Sequence, residues 1–303
     1  MGKIAVAGGS SGLGRTMVEA LMAAKTHDYI VLSRKAINAE ARAVDYSSVD
    51  TLVSLLVFEQ IDTVISCLPI DSDDSGRAQL NLIEAANRSK CTKRFLPSEF
   101  GAIYTRDIIH HMPFYRWKFE AIDMLEKTDL EFSLVSIGQF LDYWAAPRIP
   151  SYVGAANLQI DAASRAAIIP GDGKNPVVMT HSIDAAKFTV ALLDLTSWKS
   201  RYSIIGNRLT LNEAVKLAEE VMGVKFDVKY FSIEDMEKSG IELTPSMQRI
   251  LPEEMHEGMR AVLSGIGIGM AKGNSDIQGI EDLTVMLPNL KPLTVRSVWE
   301  AWK

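Results

Sequence analysis

The chain has 303 residues, 47% hydrophobic and 23% charged, with a formal net charge of -6. This composition supports a large buried core and excludes disorder as the default. The acidic balance removes non-specific attraction to polyphosphate, so nucleic acid is excluded as a partner and any phosphate site must be local. Cys67 and Cys91 are too few for a disulfide framework or a zinc site, and no run approaches the roughly 20 apolar residues that span a bilayer; a cytoplasmic protein without membrane or metal is expected.

Residues 3–8 form a short apolar run, after which Leu13, Met17, Val18, Leu21 and Met22 recur at helical spacing. That pattern predicts strand, turn, helix. Further strands are expected at 29–33, 43–46, 63–68, 94–96 and 132–137. Helices should lie between them, one capped by Ser48 with Leu52, Val53, Leu55 and Leu56 buried. Alternation at this spacing implies βαβ units in a doubly wound parallel sheet, a Rossmann arrangement within an α/β chain. Pro113 opens a helix to about Lys127. From about Ser151 the alternation fades, although 177–205 reads as sheet material returning to the first domain. The expected division is therefore 1–150 for the Rossmann domain, with 177–205 returning to it, and 151–303 for a smaller C-terminal substrate lobe. Thr210 with Glu213 forms a capping box for a helix closed by Gly223. Residues 225–273 read as a mobile cap, and Gly265-Ile266-Gly267-Ile268-Gly269 as a flexible loop within it.

Gly8-Gly9-Ser10-Ser11-Gly12-Leu13-Gly14 lies between the first strand and the first helix. Glycines there permit a tight turn and close backbone approach, while the helix N-terminus presents N–H groups to a pyrophosphate. Where NAD proteins carry an acidic residue for the ribose, this chain has Ser33-Arg34-Lys35. The basic pair suits the 2′-phosphate of NADP(H), the alternative being a solvated pair. Arg15 and Arg42 could assist. Asp45 is placed either for the adenine edge or to cap the next helix, and Leu68 and Pro69, ending the fourth strand, complete the cofactor set.

Lys118 falls within an apolar stripe of Phe114, Ala121, Ile122 and Leu125. Either its stem packs while the ammonium reaches water, or the amine sits in a cleft where burial lowers its pKa and fits it for acid catalysis and for bonding the cofactor ribose. Ser98, after the fifth strand, is either a second catalytic hydroxyl or the cap of a turn. His110 and His111 read mainly as solvated. Ligands of open α/β sheets lie beyond the carboxyl ends of the strands, so Gly138, Gln139, Phe140 and Tyr143 or Trp144 are expected to wall the substrate.

The Gly8–Gly14 string, Val31-Leu32-Ser33-Arg34, Lys93-Arg94-Phe95-Leu96-Pro97-Ser98-Glu99-Phe100-Gly101, Lys118 and Phe140-Leu141-Asp142-Tyr143 together resemble the NmrA-like and isoflavone reductase-like family. The similarity continues through Pro170-Gly171-Asp172-Gly173, residues 181–186 and residues 210–223. The resemblance implies an atypical short-chain dehydrogenase fold, NADPH as hydride donor and a catalytic lysine, matched here by Lys118. Two departures stand out: Ser11 occupies a position that is glycine in many relatives, and Phe114 occupies the tyrosine position of tyrosine-dependent short-chain dehydrogenases.

The reading that follows is an NADPH-dependent reductase, a monomer or homodimer, acting on a carbonyl or activated double bond of a small aromatic or polyketide-like metabolite. The alternatives are an NADP-sensing regulator without turnover and a non-redox isomerase or cyclase on the same fold.

Overall fold

Four apolar runs become the inner strands of one parallel sheet in the computed structural model, which describes residues 2–35, 39–154 and 156–303. The strands are β1 (Lys3–Ala7), β2 (Tyr29–Ser33), β3 (Ala41–Ala43), β4 (Ile61–Ser66), β5 (Arg94–Leu96) and β6 (Glu131–Phe132). They stand in the order β3-β2-β1-β4-β5-β6, and every pairing is parallel. Ile4 to Ala7 are all buried, as expected of a parallel strand covered on both faces. The helices α1 (Gly12–Ala24), α2 (Val49–Phe58), α3 (Asp73–Ser89) and α4 (Arg116–Leu125) supply the crossovers. Successive strands are added on one side of β1 up to β3 and on the other side from β4 onward, which puts the topological switch point at the carboxyl ends of β1 and β4.

Two compact units divide the chain. One comprises the described residues through Phe100, Pro113–Val135 and Ala185–Tyr202; the other Gly101–Met112, Ser136–Asp184 and Ser203–Lys303. This differs from a boundary near 150 with a return over 177–205, because Pro176–Thr180 pairs with Asn207–Thr210 and Gln139–Phe140 in a sheet of its own. The expected strand over 132–137 is likewise split. Glu131–Phe132 stays on β5, whereas the N–H of Leu134 turns to the Ser200 carbonyl.

A second sheet in that other unit joins Ile160–Asp161, Ala166–Pro170 and Asp227–Phe231. Its core gathers on Trp144, stacked on Trp299 with ring centroids 5.6 Å apart, the Trp144 indole donating to the Leu158 carbonyl. The span expected as a mobile cap is regular structure, and the glycines expected in a loop lie inside the helix His256–Ala271. Glycine costs helix propensity but lets backbones approach: a Cβ on Gly265 would meet Cβ of His111 at 2.5 Å, and one on Gly267 would meet Sδ of Met236 at 2.8 Å. Among the described residues, no helix is long and apolar enough to cross a membrane.

The helix Leu211–Met222 begins and ends where its residues require. Thr210 Oγ1 accepts from the Glu213 N–H, the Glu213 carboxylate accepts from the Thr210 N–H, and Gly223 takes the left-handed conformation at φ +67°. Thr210→Ala removes the hydroxyl acceptor and should lower stability by about 1 kcal/mol, read from urea unfolding; an unchanged midpoint would show the cap to be dispensable.

Candidate active site

The carboxyl end of β1 is built so that α1 can cross it closely. Gly8 has φ +76°, and a Cβ there would lie 2.7 Å from the Cys67 carbonyl oxygen; a Cβ on Gly14 would lie 2.2 Å from the carbonyl oxygen of Gly8. Both positions therefore exclude a side chain. Gly9 is buried against Val18 and Val31, whereas a Cβ on Gly12 would meet nothing within 4 Å. Ser11 is the N-cap of α1, yet its side chain makes no capping bond and the first turn holds no acidic residue. The first N–H groups of a 13-residue helix are thus left without a side-chain acceptor beside exposed Ser10 and Ser11. Leu13 follows at the start of α1, and this geometry fits a dinucleotide pyrophosphate.

Arg34 and Lys35 follow β2 directly and are both exposed. Arg42 is committed elsewhere, to Glu59 and the Ala39 carbonyl, and Arg15 pairs with Glu19 at 3.2 Å. Asp45 accepts from the N–H and hydroxyl of Ser47, which holds its carboxyl below the usual range and makes it the start of the turn into α2. Beyond β4, Cys67 gives its N–H to the Ala7 carbonyl, and burial pushes its thiol up to about 12, which disfavours the thiolate. Leu68 is buried, and its carbonyl accepts from the Ser98 hydroxyl at 2.7 Å; Pro69 follows it.

That bond ties the ends of β4 and β5 together. The Ser98 N–H donates to the Gln79 side-chain oxygen, and the Glu99 N–H to the Pro97 carbonyl. Phe100, the next residue, is buried with φ +25°, a conformation that costs an aromatic residue on the order of 1–3 kcal/mol. The turn so fixed presents two carbonyls to Lys118, whose Nζ donates to Ser98 O at 3.0 Å and Glu99 O at 2.6 Å. With its side chain 13% exposed, Lys118 does not carry its ammonium out to water. Burial is the main influence and lowers its pKa, the Glu99 carboxylate opposes this, and Arg201 adds to it. The Tyr115 ring lies under the ammonium, 5.4 Å from its centroid.

Sequence reasoning missed three of these neighbours. Glu99 stood in the quoted Pro-Ser-Glu-Phe-Gly string without a role, Tyr115 was one residue out of register for the familiar tyrosine, and Arg201 carried no local signal.

The residues expected to meet substrate belong to the other unit. Gly138, at φ +71°, is pressed on the Val178 carbonyl, where a Cβ would come within 2.0 Å; Phe140 and Tyr143 meet edge to face at 5.9 Å. Trp144, offered as an alternative wall, is instead 1% exposed and part of the core. Gln139 lines a shallow open cleft with Ile103, Ile108, Ile266, Ile268 and Gly269. Its Oε1 is buried and has no hydrogen-bond donor among the described residues. His111 also lines the cleft, and both it and His110 are exposed.

Gly14→Ala forces α1 away from the turn. Overpacking of this kind costs about 1–3 kcal/mol, so the variant should unfold at lower urea concentration; wild-type stability would mean that the crossing can relax.

A family profile described as "NmrA-like family" matches residues 1–267. "Oxidoreductase BOA1" of Botryotinia fuckeliana (strain B05.10) is 37% identical, across 75% of this chain and 78% of that protein. "Oxidoreductase swnN" of Metarhizium robertsii is 28% identical across 98% and 97%. Among solved structures, the binary complex of leucoanthocyanidin reductase and NADPH from Vitis vinifera gives a TM-score of 0.77 at 19% identity, covering 99% of both chains, a likeness of fold. With the profile over most of its length and a relative at 37% identity, the chain belongs to the NmrA-like family.

Proposed function

We propose that the protein is an NADP(H)-dependent reductase that protonates a small carbonyl compound or enone, aromatic or polyketide-like, at Lys118. One observation carries this reading. The Lys118 ammonium has three N–H bonds, and two are spent on the carbonyls of Ser98 and Glu99. The third proton can leave without breaking either bond, because the neutral amine keeps two N–H groups for the same two acceptors. Proton transfer at Nζ therefore needs no rearrangement of the turn, a favourable condition for a general acid.

The other residues divide the work of binding. Gly8, Gly9, Ser10, Ser11, Gly12, Leu13 and Gly14 cradle the pyrophosphate, Arg34 and Lys35 meet the 2′-phosphate, and Leu68 and Pro69 lie along the cofactor. Ser98 acts by locking the turn, since its proton is already given to Leu68. Gly138, Gln139, Phe140 and Tyr143 serve the substrate, the unmatched Gln139 Oε1 favouring one with a hydroxyl or amine donor. Bound NADPH would supply the hydride. The oxidoreductase names of the relatives and the NADPH complex of the leucoanthocyanidin reductase support this assignment.

A general acid must carry its proton, so kcat should fall as pH rises through the Lys118 pKa, which burial brings down from the usual 10.5. Following NADPH absorbance with quinones, enones and aromatic aldehydes, Lys118→Met should lower kcat by about 10²–10⁴ while leaving NADPH affinity within about tenfold. Near-normal turnover would remove Lys118 from the chemistry and favour a sensor.

Arg34→Ala should cost about ten- to hundredfold in NADPH affinity and little in NADH affinity, since a charge-assisted bond to phosphate is worth roughly 1.5–3 kcal/mol. Calorimetric titration decides the point, and equal wild-type affinity for the two cofactors would refute the role.

A further inference from the structure

Lys118 does not stand alone in its burial. The Glu99 carboxylate lies between two cations, with Oε1 3.9 Å from Lys118 Nζ and Oε2 3.8 Å from an Arg201 guanidinium nitrogen. All three side chains are largely enclosed, at 13%, 11% and 22% exposure for Lys118, Glu99 and Arg201. Both separations exceed hydrogen-bond length, so Glu99 acts on each cation through its charge and leaves the lysine donors to the main chain. Glu99 is also fixed at its own backbone, whose carbonyl is one of the two oxygens that hold Nζ.

Charges on α3 and at the start of α4 meet one another around Trp117. Asp73 of α3 bonds the Trp117 indole and Arg116, and Arg77 and Arg116 both lie over the Trp117 ring. Beside Lys118 itself stands the uncharged Tyr115 phenol, its ring facing the ammonium.

We infer that Glu99 is a positioning residue that keeps Lys118 in its proton-bearing form, with Arg201 as the counterweight that limits its pull. The inference rests on the proposed role of Lys118 and adds to it two residues with opposite effects. A buried amine left to itself gives up its proton, and a carboxylate close by restores it. A guanidinium shared by that carboxylate weakens the restoration twice: it occupies part of the carboxylate's field and repels the ammonium directly. Such a balance suits a lysine that must lose and regain one proton in every cycle. The direction of each influence on Lys118, upward from Glu99 and downward from Arg201, agrees with the geometry.

The two substitutions should move the lysine in opposite directions, which a merely structural role would not do. The full-length protein is labelled with 13C at lysine Cε, the Lys118 resonance is assigned by its absence in Lys118→Met, and its titration is followed by NMR. Glu99→Gln should shift the midpoint to lower pH by about one pH unit or more, and Arg201→Gln should shift it to higher pH. Arg201→Lys, which keeps the charge, should restore most of the wild-type value.

Shifts of the same sign, or no shift in either variant, would overturn the inference. If Glu99→Gln does not fold, Arg201→Gln and its lysine rescue still read the same charge balance. The pH profile of kcat separates this inference from the proposed function. Both stand if the basic limb moves with the NMR midpoint; if the midpoint moves and the limb does not, the charge balance stands and the role of Lys118 in turnover fails.

Discussion

The crossing of α1 over the carboxyl end of β1 is the constraint on which the first unit depends. Two glycines make it possible, Gly8 against the Cys67 carbonyl and Gly14 against Gly8 itself. A Cβ at either place would separate the helix from the sheet by more than close packing allows. Since β1 pairs with both β2 and β4, this crossing fixes where the switch point opens. The same turn leaves the first N–H groups of α1 without side-chain partners, so a packing requirement also produces the arrangement proposed for the pyrophosphate.

Farther along the same edge, after β5, a second local compromise holds the lysine. Phe100 takes a positive φ, the Ser98 hydroxyl is spent on Leu68, and the turn's carbonyls converge on one amine. Strain here is stored in backbone that the hydrogen bonds of Ser98 and Glu99 over-determine. Its chemical return is an amine oriented by main-chain atoms, which no side-chain rotamer change can misplace. The tyrosine position of tyrosine-dependent short-chain dehydrogenases is Phe114 in this chain, which leaves the acid role proposed here to Lys118.

The other unit depends on packing of a different kind. Its two small sheets and the Trp144–Trp299 stack form a core separate from that of the parallel sheet. A helix containing four glycines, Gly258, Gly265, Gly267 and Gly269, survives because tertiary contacts outweigh propensity. Gly265 and Gly267 are pressed against His111 and Met236, while Gly258 and Gly269 face open space, Gly269 in the cleft that Gln139 lines. The same residue type thus serves close approach at two points of the helix and leaves open space at two others.

Whatever depends on near neighbours could be read from the sequence alone. The alternation of apolar strands and amphipathic helices implied the parallel sheet, the glycine string its switch point, and Thr210, Glu213 and Gly223 the ends of their helix, because each is decided by periodicity or by atoms a few residues apart. Lys118 was legible as a basic residue interrupting an apolar stripe. Tertiary structure decided what required distant segments to meet: Pro176–Thr180 pairing with Gln139–Phe140, a glycine run becoming helix against His111, Arg42 drawn to Glu59 and away from a cofactor role, and Arg201 arriving beside Glu99. Hydrogen-bonded ladders and buried charges take their energy from partners that chain spacing does not specify, so a lysine's place in the pattern showed in the sequence while the charges that govern its proton did not.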